Sequence, residues 1–148
     1  MSPQHAGKSA PTVITTMSGA RVTVPDVDGQ IAALHAAAGL LNRIRGGNIA
    51  LYLTFHPTDG TTVPRVSALV TSVDVYADSE ARDANNLSGL RLLSHLLDAP
   101  LRFSGYDMSG RFLQITTTID GVPVDIIAMI ESVRVQAHAR ELVSAVAR

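Results

Sequence analysis

Cysteine and tryptophan are absent from the 148-residue chain, and lysine occurs only once, as Lys8. Without cysteine the protein has no disulfide, no thiol nucleophile and no cysteine-based metal site. The N-terminal segment lacks the apolar core of a secretory signal, and no apolar run approaches the ~20 residues that span a bilayer. These absences lead us to expect a cytoplasmic protein with no membrane segment.

Charged residues are also scarce, at 17% of the chain against roughly 25% in an average soluble protein. The formal net charge is −1, and there are only three phenylalanines and three tyrosines. This charge and aromatic content argue against a nucleic-acid partner, although a local basic patch is compatible with them. Because 46% of the residues are hydrophobic, we expect part of the surface to be covered by self-association, in a homodimer or a larger homo-oligomer.

The order of apolar patterns and turns predicts an α+β fold of the form ββα–ββα–βββα. An antiparallel sheet is expected to carry about three helices on one face. Residues 12–148 are predicted to form this single domain. Residues 1–11 are polar, contain two prolines and are predicted to form an arm that is flexible or held by a partner.

The first helix is predicted to start near Asp26 or Asp28, either of which can cap it, and to stop at Gly46-Gly47. Its apolar residues recur at helical spacing, and we expect the following to form its buried face: Ile31, Leu34, Ala38 and Leu41, with Ala37, Leu40 and Ile44 beside them. The second helix is predicted to begin by about Leu87.

The stretch RFLQITTTIDGVPVDIIAMI, residues 111–130, predicts a hairpin around an Asp120-Gly121 turn of type I′. In this register Ile115 faces Ile126 on the apolar side, and Thr116 faces Asp125 on the more polar side. We interpret Asp125 as a solvated strand residue rather than a catalytic acid. Pro123 is expected to mark a local edge of the sheet, since it has no N–H to donate.

The histidines and acids give no strong catalytic motif. No two histidines have the spacing of helical zinc ligands, and whether Asp74, Asp125 and the histidines converge is left open by the sequence. The segment SGARVTVPDVD superficially resembles the glycine turn and paired acids with which nucleotidyltransferases hold magnesium. That family has a helix between the two elements, whereas here the pattern predicts a strand, so capping of a helix by Asp26 or Asp28 is our interpretation. We therefore name no catalytic, cofactor-binding or metal-binding residue and expect no cofactor.

The richness in arginine, alanine and valine is typical of a high-GC genome. The general composition and the terminal hairpin resemble small proteins of actinobacterial phages and mobile elements, and this resemblance implies no activity. The leading hypothesis is a non-enzymatic interaction or structural protein that works as a homo-oligomer. The alternative is a small-molecule binding domain, or a metal-independent enzyme, with a pocket between sheet and helices.

Overall fold

The structure, a computed structural model, describes residues 10–74, 76–105 and 109–146. The predicted arm at residues 1–11 lies outside these ranges except for its last two residues. The elements of the described part confirm the predicted α+β order. They are β1 (Val13–Thr15), β2 (Arg21–Thr23), α1 (Val27–Arg43), β3 (Ile49–Thr58), β4 (Thr61–Ser72), α2 (Ser79–Leu96), β5 (Arg102–Phe103), β6 (Phe112–Ile119), β7 (Val122–Met129) and α3 (Val133–Val146).

The strands form two sheets. β1 and β2 make a small antiparallel pair, which is tied to the β3–β4 turn because the buried Thr23 hydroxyl accepts a hydrogen bond from Gly60 N–H at 3.0 Å. The other five strands are ordered β3-β4-β7-β6-β5. All their pairings are antiparallel except β4 with β7, so the predicted antiparallel sheet has one parallel pair. The parallel pair arises because α2 connects β4 to the group β5–β6–β7 as a crossover, which lets β7 run in the same direction as β4.

The core lies between this sheet and the helices. Alternate residues of the two central strands are buried, among them Val66, Ala68, Val124 and Ile126. α1 packs mainly on β4, while α2 contacts both β4 and β7, and α3 packs against α2. The opposite side chains of the sheet are exposed or only partly buried, as expected for a sheet with helices on one face.

The predicted buried face of α1 is only partly confirmed: Ala37, Leu40 and Ile44 are buried, whereas the other four residues are exposed. Ile31, Leu34 and Leu41 are 45%, 57% and 40% exposed. The residues that face the sheet are mostly small, namely Gly29, Ala33, Ala36, Ala37 and Leu40. Gly29 shows the reason, because a Cβ built on it would lie only 1.9 Å from the carbonyl oxygen of Thr62. α1 therefore turns its small residues inward to approach β4 closely, and its larger apolar residues point outward.

The terminal hairpin has the predicted register in all eight pairs, from Phe112 opposite Met129 to Ile119 opposite Val122. Asp120 and Gly121 have φ values of 50° and 80°, as a type I′ turn requires. As expected, Pro123 does not pair with a further strand in the described ranges, but this holds for that residue alone. Pairing with β4 starts at the next position, Val124, and β7 is a central strand.

Candidate interaction surface

The outer side of α1 carries a continuous apolar stripe. It consists of Val27, Ile31, Leu34, Ala38 and Leu41, all exposed, and Val27 reaches 70% exposure. The spacing alternates between four and three residues, which is the spacing of the contact positions in a coiled coil. A helix that buries one side in its own core and shows a second apolar side to solvent has a surface suited to another helix.

The edge strand β3 is the second unusual feature. It pairs with β4 on one side, and no strand in the described part of the chain pairs with its other side. From Ile49 to Phe55 it has neither a charged residue nor a proline, and Tyr52 and Phe55 are 68% and 41% exposed. Proteins usually protect such edges with charges, proline or bulges, and here the first such device is Pro57, beside an irregularity in the pairing. On the side away from β4, the residues Ile49–His56 therefore have no strand partner in the described part of the chain, although β2 lies near β3.

The stripe of α1 and the edge of β3 adjoin each other. Leu34 and Phe55 line one open depression of about 270 Å³, together with Pro25, Gln30, Pro57 and Pro64. The first turn of α1 lies beside Thr62, near the turn that joins β3 to β4. After the last turn of α1 the chain enters β3 at Ile49. α1 therefore runs antiparallel to β3, and its stripe meets the edge strand at this depression. The stripe and the edge of β3 are called here the α1–β3 surface.

Asp125 lies opposite Thr116 as predicted, but it is not simply solvated. Thr116 Oγ1 donates a hydrogen bond to Asp125 Oδ1 at 3.0 Å, and the Arg65 guanidinium contacts Asp125 Oδ2 at 2.5 Å. The Asp125 side chain is 19% exposed and that of Arg65 is 38% exposed. The interpretation as a strand residue on the uncovered face of the sheet stands, and Arg65 is the partner that the sequence pattern missed.

Asp125→Asn is expected to lower the free energy of unfolding by about 0.5–1 kcal/mol, because it weakens a partly exposed ion pair. This exceeds the small change expected for an unpaired surface carboxylate. Urea denaturation of Asp125→Asn, Arg65→Gln and the double variant measures the coupling between the two side chains. A double variant that loses the full sum of the two single losses would show that the pair does not contribute to stability.

The other acids and the histidines do not gather into a site. Within the described ranges, no group of three histidine, aspartate or glutamate side chains is placed to hold a metal ion. Asp74 is exposed and its carboxylate accepts the Tyr76 N–H at 3.0 Å. The four histidines in these ranges are exposed and lie on different elements: His35, His56, His95 and His138. His5 lies outside the described residues.

The acids before α1 act as helix-capping groups. Asp26 is the N-cap residue, and its carboxylate accepts the Gly29 N–H at 2.7 Å, while Asp28 lies in the first turn. An N-cap carboxylate satisfies a free backbone donor and interacts favourably with the helix dipole. The capping interpretation of this segment is confirmed, with Asp26 as the cap.

Comparison of the chain with protein-family models, with curated proteins and with solved structures gives no significant match. Among the described residues, no helix is both long enough and apolar enough to cross a membrane. A sequence signal for the α1–β3 surface existed: α1 has apolar residues on two sides, and only one of these sides can face a single sheet.

Proposed function

We propose that the protein is a non-enzymatic interaction protein that works as a homodimer joined through the α1–β3 surface. The observation that carries this proposal is that an unpaired, uncharged edge strand and an exposed apolar helix stripe lie side by side. Each feature alone favours association, since a free strand edge pairs with another strand and an apolar stripe packs on another apolar surface. A second copy of the chain supplies both partners at once.

Two copies of β3 can pair antiparallel about a twofold axis through Tyr52. Ile49 then faces Phe55 of the second copy, and Leu51 faces Leu53, so that apolar residues meet on the helix side of the sheet. No like charges meet, because the segment Ile49–Phe55 has none. A register centred one residue later would place Pro57 in the ladder, where it has no N–H to donate. The Tyr52-centred register is therefore the one proposed.

The same twofold axis brings the α1 stripes together. Because α1 runs antiparallel to β3, antiparallel pairing of the two strands places the two helices antiparallel on the same side of a ten-stranded sheet, with Leu34 near the centre of the contact. Stable interfaces bury on the order of 800 Å² on each partner, more than a single strand edge provides. The helix contact supplies the additional apolar area, and this surface is the same on both copies, as a twofold interface requires.

The mass in solution tests the proposal. Light scattering at micromolar concentration is expected to show twice the 15.6 kDa chain mass for the natural protein, and the monomer mass for Leu34→Glu. The matched control is Leu92→Glu, since Leu92 is 47% exposed and belongs to α2 rather than to α1 or β3, and this variant should remain dimeric. A monomeric natural protein, or equal effects of both variants, would reject the interface.

Crosslinking tests the proposed register directly. Because the chain has no cysteine, a single introduced cysteine can form a disulfide only between copies. Tyr52→Cys is expected to give a covalent dimer on mild oxidation, since residues directly opposite in an antiparallel pair lie within disulfide reach. Thr116→Cys, on the interior strand β6, is the control and should stay unlinked. A dimer that forms for Thr116→Cys and not for Tyr52→Cys would contradict the β3 pairing.

A further inference from the structure

A groove lies at the carboxyl ends of β4 and β7, the parallel pair of the large sheet. It has a volume of about 240 Å³. One wall is α2 and the other is the end of the sheet, where Leu69 and Met129 contribute apolar side chains. In open α/β sheets ligands bind beyond the carboxyl ends of the parallel strands, and β4 with β7 is the pair of this sheet that has the same arrangement. The groove does not involve the α1–β3 surface.

The α2 wall presents polar groups at helical spacing: Ser79, Arg82, Asp83 and Asn86. Asp83 is only 8% exposed, and its Oδ2 accepts the backbone N–H groups of Glu131 and Ser132 at 2.9 and 2.7 Å. Its other oxygen, Oδ1, accepts no hydrogen bond from the described part of the chain. One oxygen of this buried carboxylate thus holds the start of α3, while the other is left for a donor in the groove.

Asn86 provides the second free acceptor. Its Oδ1 is buried and accepts no hydrogen bond from the residues that the structure describes. A buried polar atom without a partner is costly, and such atoms are few in folded proteins. Asn86 also lines the groove, so turning its amide toward a bound donor would give this oxygen a hydrogen-bond partner.

We propose that this groove binds a small zwitterion of the amino-acid type. The ammonium group of the ligand donates to Asp83 Oδ1 and Asn86 Oδ1, and its carboxylate accepts from the Arg82 guanidinium. A ligand with only an ammonium group would be repelled by the positive charge of Arg82. A ligand with only a carboxylate would be repelled by the negative charge of Asp83. A ligand that carries both charges matches both. The apolar side chains of Leu69 and Met129 suit a short aliphatic side chain.

Binding is tested by titrating the ¹⁵N-labelled full chain with L-valine and following amide signals by NMR. Saturable shifts are expected for the Asn86 side-chain amide and for the backbone amides of Glu131 and Ser132. Two partial ligands serve as controls: isobutylamine lacks the carboxylate, and isovalerate lacks the ammonium group. Each should bind at least about tenfold more weakly, the factor that corresponds to one lost hydrogen bond to a charged group.

Variants separate binding at this groove from binding elsewhere. Asn86→Leu and Arg82→Gln should each weaken L-valine binding by about tenfold or more. Arg91 also lies on α2 but lines a different depression, so Arg91→Gln should leave binding unchanged. Asp83 is kept in all variants because it also holds the start of α3. The proposal is overturned if L-valine gives no saturable shift, if the partial ligands bind equally well, or if both groove variants bind like the natural protein.

Discussion

Ile126→Ala is expected to lower the free energy of unfolding by about 2–5 kcal/mol, the range for truncating a fully buried aliphatic side chain. Ile126 has no exposed surface and lies on the central strand β7. It is opposite Ile115 of β6 on one side and Ala68 of β4 on the other. Because both neighbouring strands hold it in place, the structure has little freedom to collapse into the space that the substitution leaves.

Ile127→Ala is the matched control, since Ile127 is the next residue and is only partly buried on the uncovered face of the same strand. Its loss should be clearly smaller, because less apolar surface is returned to water. Urea denaturation at one fixed protein concentration gives both values, and the fixed concentration is needed because self-association adds to apparent stability. A larger loss for Ile127→Ala than for Ile126→Ala would mean that the faces of β7 are reversed.

Gly29→Ala should be destabilising by about 1–3 kcal/mol, although alanine is the better helix former. The added Cβ would lie 1.9 Å from the carbonyl oxygen of Thr62 and 2.7 Å from its carbonyl carbon. Both are backbone atoms of β4, so neither can move aside without displacing the strand. The N-terminal end of α1 would have to shift away from the sheet, and packing along the inner face of the helix would be lost.

Gly39→Ala is the control for this substitution on the same helix. A Cβ at Gly39 would meet only the Arg43 guanidinium at 3.4 Å, which is the mobile end of a long side chain. The helix preference of alanine should therefore dominate, and stability should rise by up to about 1 kcal/mol. Opposite signs for the two substitutions in urea denaturation support the close contact of α1 with β4. A gain at both positions would contradict it.

The terminal hairpin was predictable because its information is local. Two runs with period-two alternation flank an Asp-Gly pair whose backbone preferences select a type I′ turn, and this turn sets every pairing of β6 with β7. The start of α2 is also set by neighbouring residues, because the Asp78 carboxylate accepts a hydrogen bond from the Ala81 N–H at 2.7 Å. The prediction that this helix begins by about Leu87 was late, because the first two turns are polar and show no apolar stripe.

Neither the ion pair of Asp125 with Arg65 nor the groove could be predicted from local sequence patterns. Arg65 lies 60 residues away in the sequence, and the two meet because β4 and β7 become neighbours in the sheet. The groove needs the same parallel pairing, since it forms where those two strands end beside α2. A pattern within one strand does not show which strand from a distant part of the chain will lie next to it.

The sequence by itself determined the α+β class, the order of the elements, the hairpin register and the helix cap at Asp26, because each depends on periodicity or on turn and cap chemistry within a few residues. Only the tertiary structure decided which apolar side of α1 is buried. Both sides are apolar, and the side with small residues faces inward because β4 approaches the helix as closely as Gly29 allows. The larger residues around Leu34 are thereby left on the surface beside the open edge of β3.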